Sequence, residues 1–350
     1  MMGTLRFFMA SCVVLFHLTE SVPNIGMLAV VFFYAISGYL ITLVLNETYK
    51  FQVKAFTENR VLRLYPAYLV TLAVGLGISL SESFKSFHHV WTITGSPLDI
   101  LGNALIFPWG LVSGTTIHQF RVIPSSWSVG VELCCYAILV LFTARNIKTA
   151  MTTAALAAIW YIYITYYVTD QLLKYFPVPA AMLPFSLGAI AYFISRHSEI
   201  LRQISQNQKL QASIFASCLI TFTAIWYYSI TTSTLIVNHW SYYANMALAF
   251  ATVVVVNKAR MTGLIGRIDK YLGDLAYPMF LGHFIYAFFV WRLFGGEQRG
   301  WVIFAIAYPV TILASALIVK FVDQPINKIR NRVRDSARSE VDLPAPIQTP

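Results

Sequence analysis

Residues 24–46 read NIGMLAVVFFYAISGYLITLVLN and contain no Asp, Glu, Lys or Arg. A helix needs about 20 mostly apolar residues to cross the hydrocarbon core of a bilayer. It is also one of the two backbone forms that satisfy their own peptide groups there. This stretch therefore predicts a membrane-spanning helix, and it sets the standard for the rest of the chain.

Outward from it, comparable stretches occur at 5–20, 61–80, 126–144, 149–168, 178–195, 211–229, 240–257, 272–294 and 300–321. The expected fold is all-α, a polytopic transmembrane helical bundle of about ten spans. Residues 98–108 are apolar but too short to span, and are expected to lie on the membrane or dip into it. The chain is 57% hydrophobic and 11% charged, with a mean hydropathy of +0.64. A soluble domain carries roughly 25% charged residues, so this chain lacks the polar side chains to cover a water-facing surface. No repeat is evident. Residues 1–330 read as one membrane-embedded domain, and 331–350, charged and then Pro-rich, as a disordered tail.

Charge placement tests the count. With the N-terminus inside, 20 of the 25 Lys and Arg residues fall in inner segments and 5 in outer ones. This is the asymmetry of the positive-inside rule, and it puts both termini on the cytoplasmic side. The formal net charge of +10 is then topology. No basic run is interleaved with aromatics, which excludes a nucleic-acid partner. The N-terminal apolar run has only Arg6 before it, and His17 and Glu20 stand where a cleavage site would lie, so it reads as a retained helix rather than a signal peptide. Cys12, Cys134, Cys135 and Cys218 lie in apolar runs. His88, His89, His118, His197 and His239 have no ligand spacing, and no metal site is expected.

Ionisable groups at membrane depth are costly and mark function by default. Arg6 and His17 are eleven residues apart, close to three helical turns, so they share a face about 16 Å apart along the axis. Arg6 belongs at the inner rim and His17 well into the outer half. Glu132, in WSVGVELCCY, has a similar depth to His17. A neutral His beside a carboxylate suits a general base, although the sequence does not fix whether Glu132 reaches His17. His283 sits mid-span in AYPMFLGHFIY. Arg60 and Arg63, at i and i+3, share a face at the inner rim. With Arg6 they form a cluster suited to phosphate.

Five motifs, in order, resemble the acyltransferase-3 family of multi-span bacterial enzymes that O-acylate carbohydrates and other hydroxyl-bearing molecules. They are Arg6 and His17 in LRFFMASCVVLFH; Phe32, Phe33, Ser37 and Gly38 in VVFFYAISGYLIT; Arg60, Arg63, Tyr65 and Pro66; Trp127, Ser128, Glu132 and Tyr136; and Tyr277, Pro278, Leu281 and His283. The resemblance runs from Leu5 to about Arg330. Ala276 departs from the family's Ser before Tyr-Pro, and Asp323 with Pro325 keeps its late carboxylate-x-Pro only loosely. A soluble hydrolase-like domain, which some relatives carry, is not expected here.

The resemblance implies an acyltransferase in the bacterial cytoplasmic membrane, using acyl-CoA, most simply acetyl-CoA, as co-substrate with no bound cofactor. It implies His17 as catalytic base with Glu132 orienting or charge-balancing a site residue. Arg6, Arg60 and Arg63 would hold the coenzyme A phosphates. Trp127, Ser128, Tyr136 and His283 would contact a carbohydrate or lipid-linked glycan acceptor. Acceptor choice is expected in the outer loop from Glu82 to Ser125. A proton-coupled transporter or flippase of an anionic or lipid-linked substrate would also use intramembrane His, Glu and Arg. The charged helices, however, lack the paired Gly/Pro-broken segments of inverted-repeat transporters.

Overall fold

The computed structural model describes residues 1–79, 86–196, 198–256 and 262–342, and among them it is helical with no strand. In chain order the helices are α1 (Met2–Leu18), α2 (Ile25–Leu43), α3 (Val53–Ser79), α4 (Pro97–Leu105), α5 (Phe107–Val112), α6 (Ser126–Ile138), α7 (Ile147–Tyr167), α8 (Val178–Arg196), α9 (Glu199–Gln206), α10 (Gln208–Ser229), α11 (Trp240–Val256), α12 (Gly263–Phe294), α13 (Trp301–Ile318) and α14 (Gln324–Asp342).

Among the described residues seven helical segments are long and apolar enough to cross a membrane: Ile25–Thr48, Val53–Ser79, Ser126–Thr143, Ile147–Tyr167, Gln171–Arg196, Gln208–Ser229 and Trp301–Ala337. The other three expected spans coincide with helices that fall short for physical reasons. α1 and α11 have 17 residues each, and α12 is charged in its first half, while Pro278, His283 and Arg292 lower the hydropathy of the rest. The short apolar stretch at 98–108 divides into α4 and α5, neither long enough to span, with Ile106 at φ 60° between them. α14 continues as helix through Asp342, into the expected tail. Residues 343–350 lie outside the described residues.

Two packing arrangements position the site. α2 and α8 approach until backbone meets backbone. A Cβ at Gly38 would lie 2.1 Å from the Phe185 carbonyl oxygen, and one at Gly188 would lie 2.1 Å from that of Ala35. Only glycine permits this approach, the small-residue contact by which helices associate in lipid.

α1 and α12 run parallel. At their starts the Asp269 carboxylate takes the N-terminal ammonium at 2.8 Å, the Thr4 N–H at 2.8 Å and the Thr4 hydroxyl at 2.7 Å. A carboxylate at a helix N-terminus satisfies free N–H groups and the macrodipole together. Asp269 and His283 are 14 residues apart, two heptads, and two heptads return to the same face. The register set at Asp269 therefore brings α12 back to α1 at His17.

Candidate active site

His17 and His283 meet across α1 and α12, with Nδ1 of His17 2.9 Å from Nε2 of His283 and the ring planes within 5°. His283 is fully buried. Its other nitrogen, Nδ1, lies 2.9 Å from the Phe280 carbonyl oxygen and 3.3 Å from that of Met279. Carbonyl oxygens only accept, so His283 Nδ1 carries the proton and, in the neutral ring, Nε2 is an acceptor. His17 must then donate from Nδ1, which leaves its Nε2 with a free lone pair. The chain Phe280 carbonyl, His283, His17 thus selects one tautomer of His17, as an orienting carboxylate does in hydrolase triads. Phe284 packs against both rings at 4.7 and 4.4 Å, and Phe16 against His17 at 5.1 Å.

Glu132 is not the partner of His17. Its Oε1 accepts from the Ser37 hydroxyl at 2.7 Å and from the Tyr136 hydroxyl one turn along α6. Glu132, Ser37 and Tyr136 line a cavity of about 900 Å³ that also takes in Arg6, Arg60 and Arg63. Among the described residues, Arg6 and Arg60 have no carboxylate within ion-pair distance, and their Nε atoms are enclosed without a partner. Arg60 donates weakly to Asn59 at 3.3 Å, and Arg63 stands 4.0 Å from Asp323. The three expected phosphate ligands thus share one cavity, and two of them hold donors in reserve.

His17 lines a second cavity, of about 1050 Å³, with Ser125, Trp127, Phe284 and Arg299. Phe280 and the start of α6 stand between the two spaces. Ser125 donates to the Phe280 carbonyl at 2.8 Å, the same oxygen that fixes His283. Ser128, buried, lines the Glu132 cavity and donates to Ser125 at 3.0 Å. Trp127 faces the His17 cavity and packs edge-on against Phe176 at 4.9 Å. Of the expected site residues, the structure therefore joins His17 with His283 and Trp127. It joins Glu132 with Arg6, Arg60, Arg63, Ser128 and Tyr136, in a separate space.

The sequence reading assigned no role to three residues at these sites. Ser37 was visible only as part of a motif. His88 lies edge-on to Phe284 at 4.6 Å, beside the His17 ring. Burial, with help from His89 and Arg121, holds His88 neutral down to about 3. Arg121 was counted only as an outer basic residue. Its presence on the side poor in basic residues was the one signal available. Among the described residues no three His, Cys, Asp or Glu side chains converge as metal ligands would.

The molecule is thus a multi-pass helical membrane protein with an oriented histidine in one cavity and an arginine-lined cavity behind it. The family model described as "Acyltransferase domain" matches residues 2–320, and the chain belongs to that family, acyltransferase-3. This is the family that the five motifs resemble. Similar curated proteins are O-acetyltransferase OatA from Staphylococcus aureus strains NCTC 8325 / PS 47, COL and MRSA252. Each is 24% identical over 353 residues, covering 93% of this chain and 56% of the relative. The chain spans about half the length of these curated relatives. No solved structure matches it.

Proposed function

We propose that the protein is a membrane O-acyltransferase that moves an acyl group, most simply acetyl, from cytoplasmic acyl-CoA to a hydroxyl of a carbohydrate at the outer face of the bacterial cytoplasmic membrane. The observation that carries this reading is the separation of an arginine cluster, in which Arg6 and Arg60 have no carboxylate partner among the described residues, from a tautomer-fixed histidine in two back-to-back cavities. It suits two substrates arriving from opposite sides of the membrane. The O-acetyltransferase relatives favour acetyl as the group and a hydroxyl as the acceptor.

Arg6, Arg60 and Arg63 hold the coenzyme A phosphates by charge-assisted hydrogen bonds. The pantetheine arm runs past Glu132 and brings the thioester to the Phe280 partition. The acceptor hydroxyl lies against His17, and Trp127 offers an apolar surface for a sugar ring. His17 Nε2 takes the hydroxyl proton as the oxygen attacks the thioester carbonyl. The new C–O bond forms, the tetrahedral intermediate collapses, the C–S bond breaks, and the imidazolium returns the proton to the thiolate. His283, accepting from His17 Nδ1, steadies the transient positive charge. Glu132 orients Ser37 and Tyr136 along the donor path rather than acting on His17.

The test is mass spectrometry of surface glycans from cells expressing wild type or His17→Ala at matched membrane levels. The reading requires an acetyl-sized increment with wild type that is lost in His17→Ala. An increment that persists in His17→Ala overturns it.

A further inference from the structure

Two arginines line the His17 cavity, and they are used differently. Arg299 spends its guanidinium on the end of α1. It donates to the carbonyls of His17 at 3.0 Å, Phe16 at 2.9 Å and Thr19 at 3.1 Å, and stands 3.9 Å from Glu20. A cation on the last carbonyls of a helix is a cap.

Arg121 has no such task. Among the described residues its one side-chain hydrogen bond goes to the neutral Gln119 Oε1, at 2.6 Å, and its enclosed Nε has no partner. No carboxylate among the described residues lies within ion-pair distance of it. Burial without a counter-charge lowers its pKa to about 10. An enclosed cation lacking a counter-ion is costly to keep.

The fold nevertheless holds it in place. The Arg121 N–H donates to Val90 O at 3.1 Å. On either side, the Phe120 N–H donates to Asp99 at 2.9 Å and the Val122 N–H to Asn103 at 3.0 Å. Asp99 and Asn103 are themselves buried on α4. Asp99 is already committed, its other oxygen taken by the Thr94 N–H and hydroxyl, so it orders the loop without neutralising the arginine.

Arg121 also lines the adjoining polar cavity of about 910 Å³, together with His118 and Trp127. Among the described residues the one carboxylate lining that space, Asp170, is exposed and caps the Leu172 N–H at 3.0 Å. Arg121 thus stands on the wall between the space that holds His17 and the space beside it.

We propose that Arg121 is the acceptor-recognition residue, and that the acceptor is an acidic glycan whose carboxylate or phosphate pairs with this guanidinium while a hydroxyl of the same molecule reaches His17. The proposal rests on the acyl-transfer reading and names its substrate class. A planar guanidinium with unpaired donors matches either oxyanion bidentately. Occupation by such a group supplies the counter-charge that the fold omits.

The experiment is calorimetric titration of the full-length protein in nanodiscs, as wild type, Arg121→Gln and Arg121→Lys. Three tetrasaccharides are compared: one ending in glucuronate, one ending in glucose 6-phosphate, and an all-glucose control. Wild type is expected to bind at least one charged probe at least about tenfold more tightly than the control, the scale of a charge-assisted hydrogen bond. The preferred probe tells carboxylate from phosphate. Arg121→Gln should bind all three alike, and Arg121→Lys should keep part of the preference, because lysine offers charge without the fork. Equal binding by wild type, or a preference that survives in Arg121→Gln, overturns the proposal. Titration of acetyl-CoA into the same samples reads the other cavity. A protein that prefers a charged glycan but takes up no acetyl-CoA breaks the donor reading and leaves the anion site standing.

Discussion

The two cavities differ in how they treat charge. The Glu132 cavity concentrates it: three arginines and a carboxylate share one space, and the carboxylate is bonded to Ser37 and Tyr136. The His17 cavity builds its base from neutral parts, two imidazoles and a backbone carbonyl. In a low-dielectric site a histidine–carboxylate pair must hold an ion at rest, whereas a His–His–carbonyl chain is uncharged until a proton moves. The comparison teaches that the carboxylate at the right depth need not be the base's partner. Here it lies in the arginine-lined cavity instead.

The largest effect expected from breaking this arrangement is at His17. His17→Ala should lower acyl transfer by about 10²–10⁴-fold, the range of a general base, with unchanged yield and thermal unfolding in detergent. His283→Ala comes next. It removes the acceptor for His17 Nδ1, so the two tautomers compete, and kcat should fall by about 10–100-fold with a displaced pH–rate profile. His283→Asn, which can still accept, should recover part of the loss, and a purely packing role would show neither the displacement nor the recovery.

On the charged side, Arg6→Gln or Arg60→Gln should raise KM for acyl-CoA by about 10–100-fold, with less effect on kcat, as expected when a charge-assisted phosphate contact is lost. Glu132→Gln sharpens the contrast. The amide oxygen can accept from both Ser37 and Tyr136, so the loss should stay within about tenfold and the pH–rate profile should keep its shape. A displaced profile in Glu132→Gln would return the carboxylate to the base.

The smallest effect concerns His88. Its imidazole is held neutral down to about 3 when folded and titrates near 6.5 when unfolded. The unfolded state therefore binds the extra proton between these values, and stability falls as pH drops through this window. His88→Phe should flatten the loss of thermal stability between pH 7 and pH 5.

Much of this was legible in the chain. The run 24–46 declared its helix, and the eleven-residue spacing of Arg6 and His17 put both on the face that meets α12: a Cβ at Gly273 would lie 2.9 Å from Arg6 Nη2, and His283 bonds His17. The Arg cluster formed from residues near one rim, because helix ends on one side of a bundle are neighbours whatever their order. The pairing of His17 with His283 was not legible. The two are 266 positions apart, and their meeting depends on the register set by Asp269, a residue that reads in sequence as one more charge at a helix start. Whether Glu132 reaches His17 was not legible for a related reason. Depth along a helix follows from counting residues, but the direction a side chain takes around the bundle depends on which helices pack beside it, and the glycine contacts of α2 and α8 settle that for the Ser37 face. Arg121 was lost among topology charges because its meaning lies in the partners it lacks.

The most direct test of the central claim is ¹⁵N NMR of histidine-labelled protein in nanodiscs, with the His17 signals assigned by their loss in His17→Ala. The account predicts a neutral His17 with the proton on Nδ1 and Nε2 unprotonated at pH 7.5, and loss of that single-tautomer signature in His283→Ala. A proton on Nε2 of His17, or a tautomer indifferent to His283 but altered in Glu132→Gln, would contradict it.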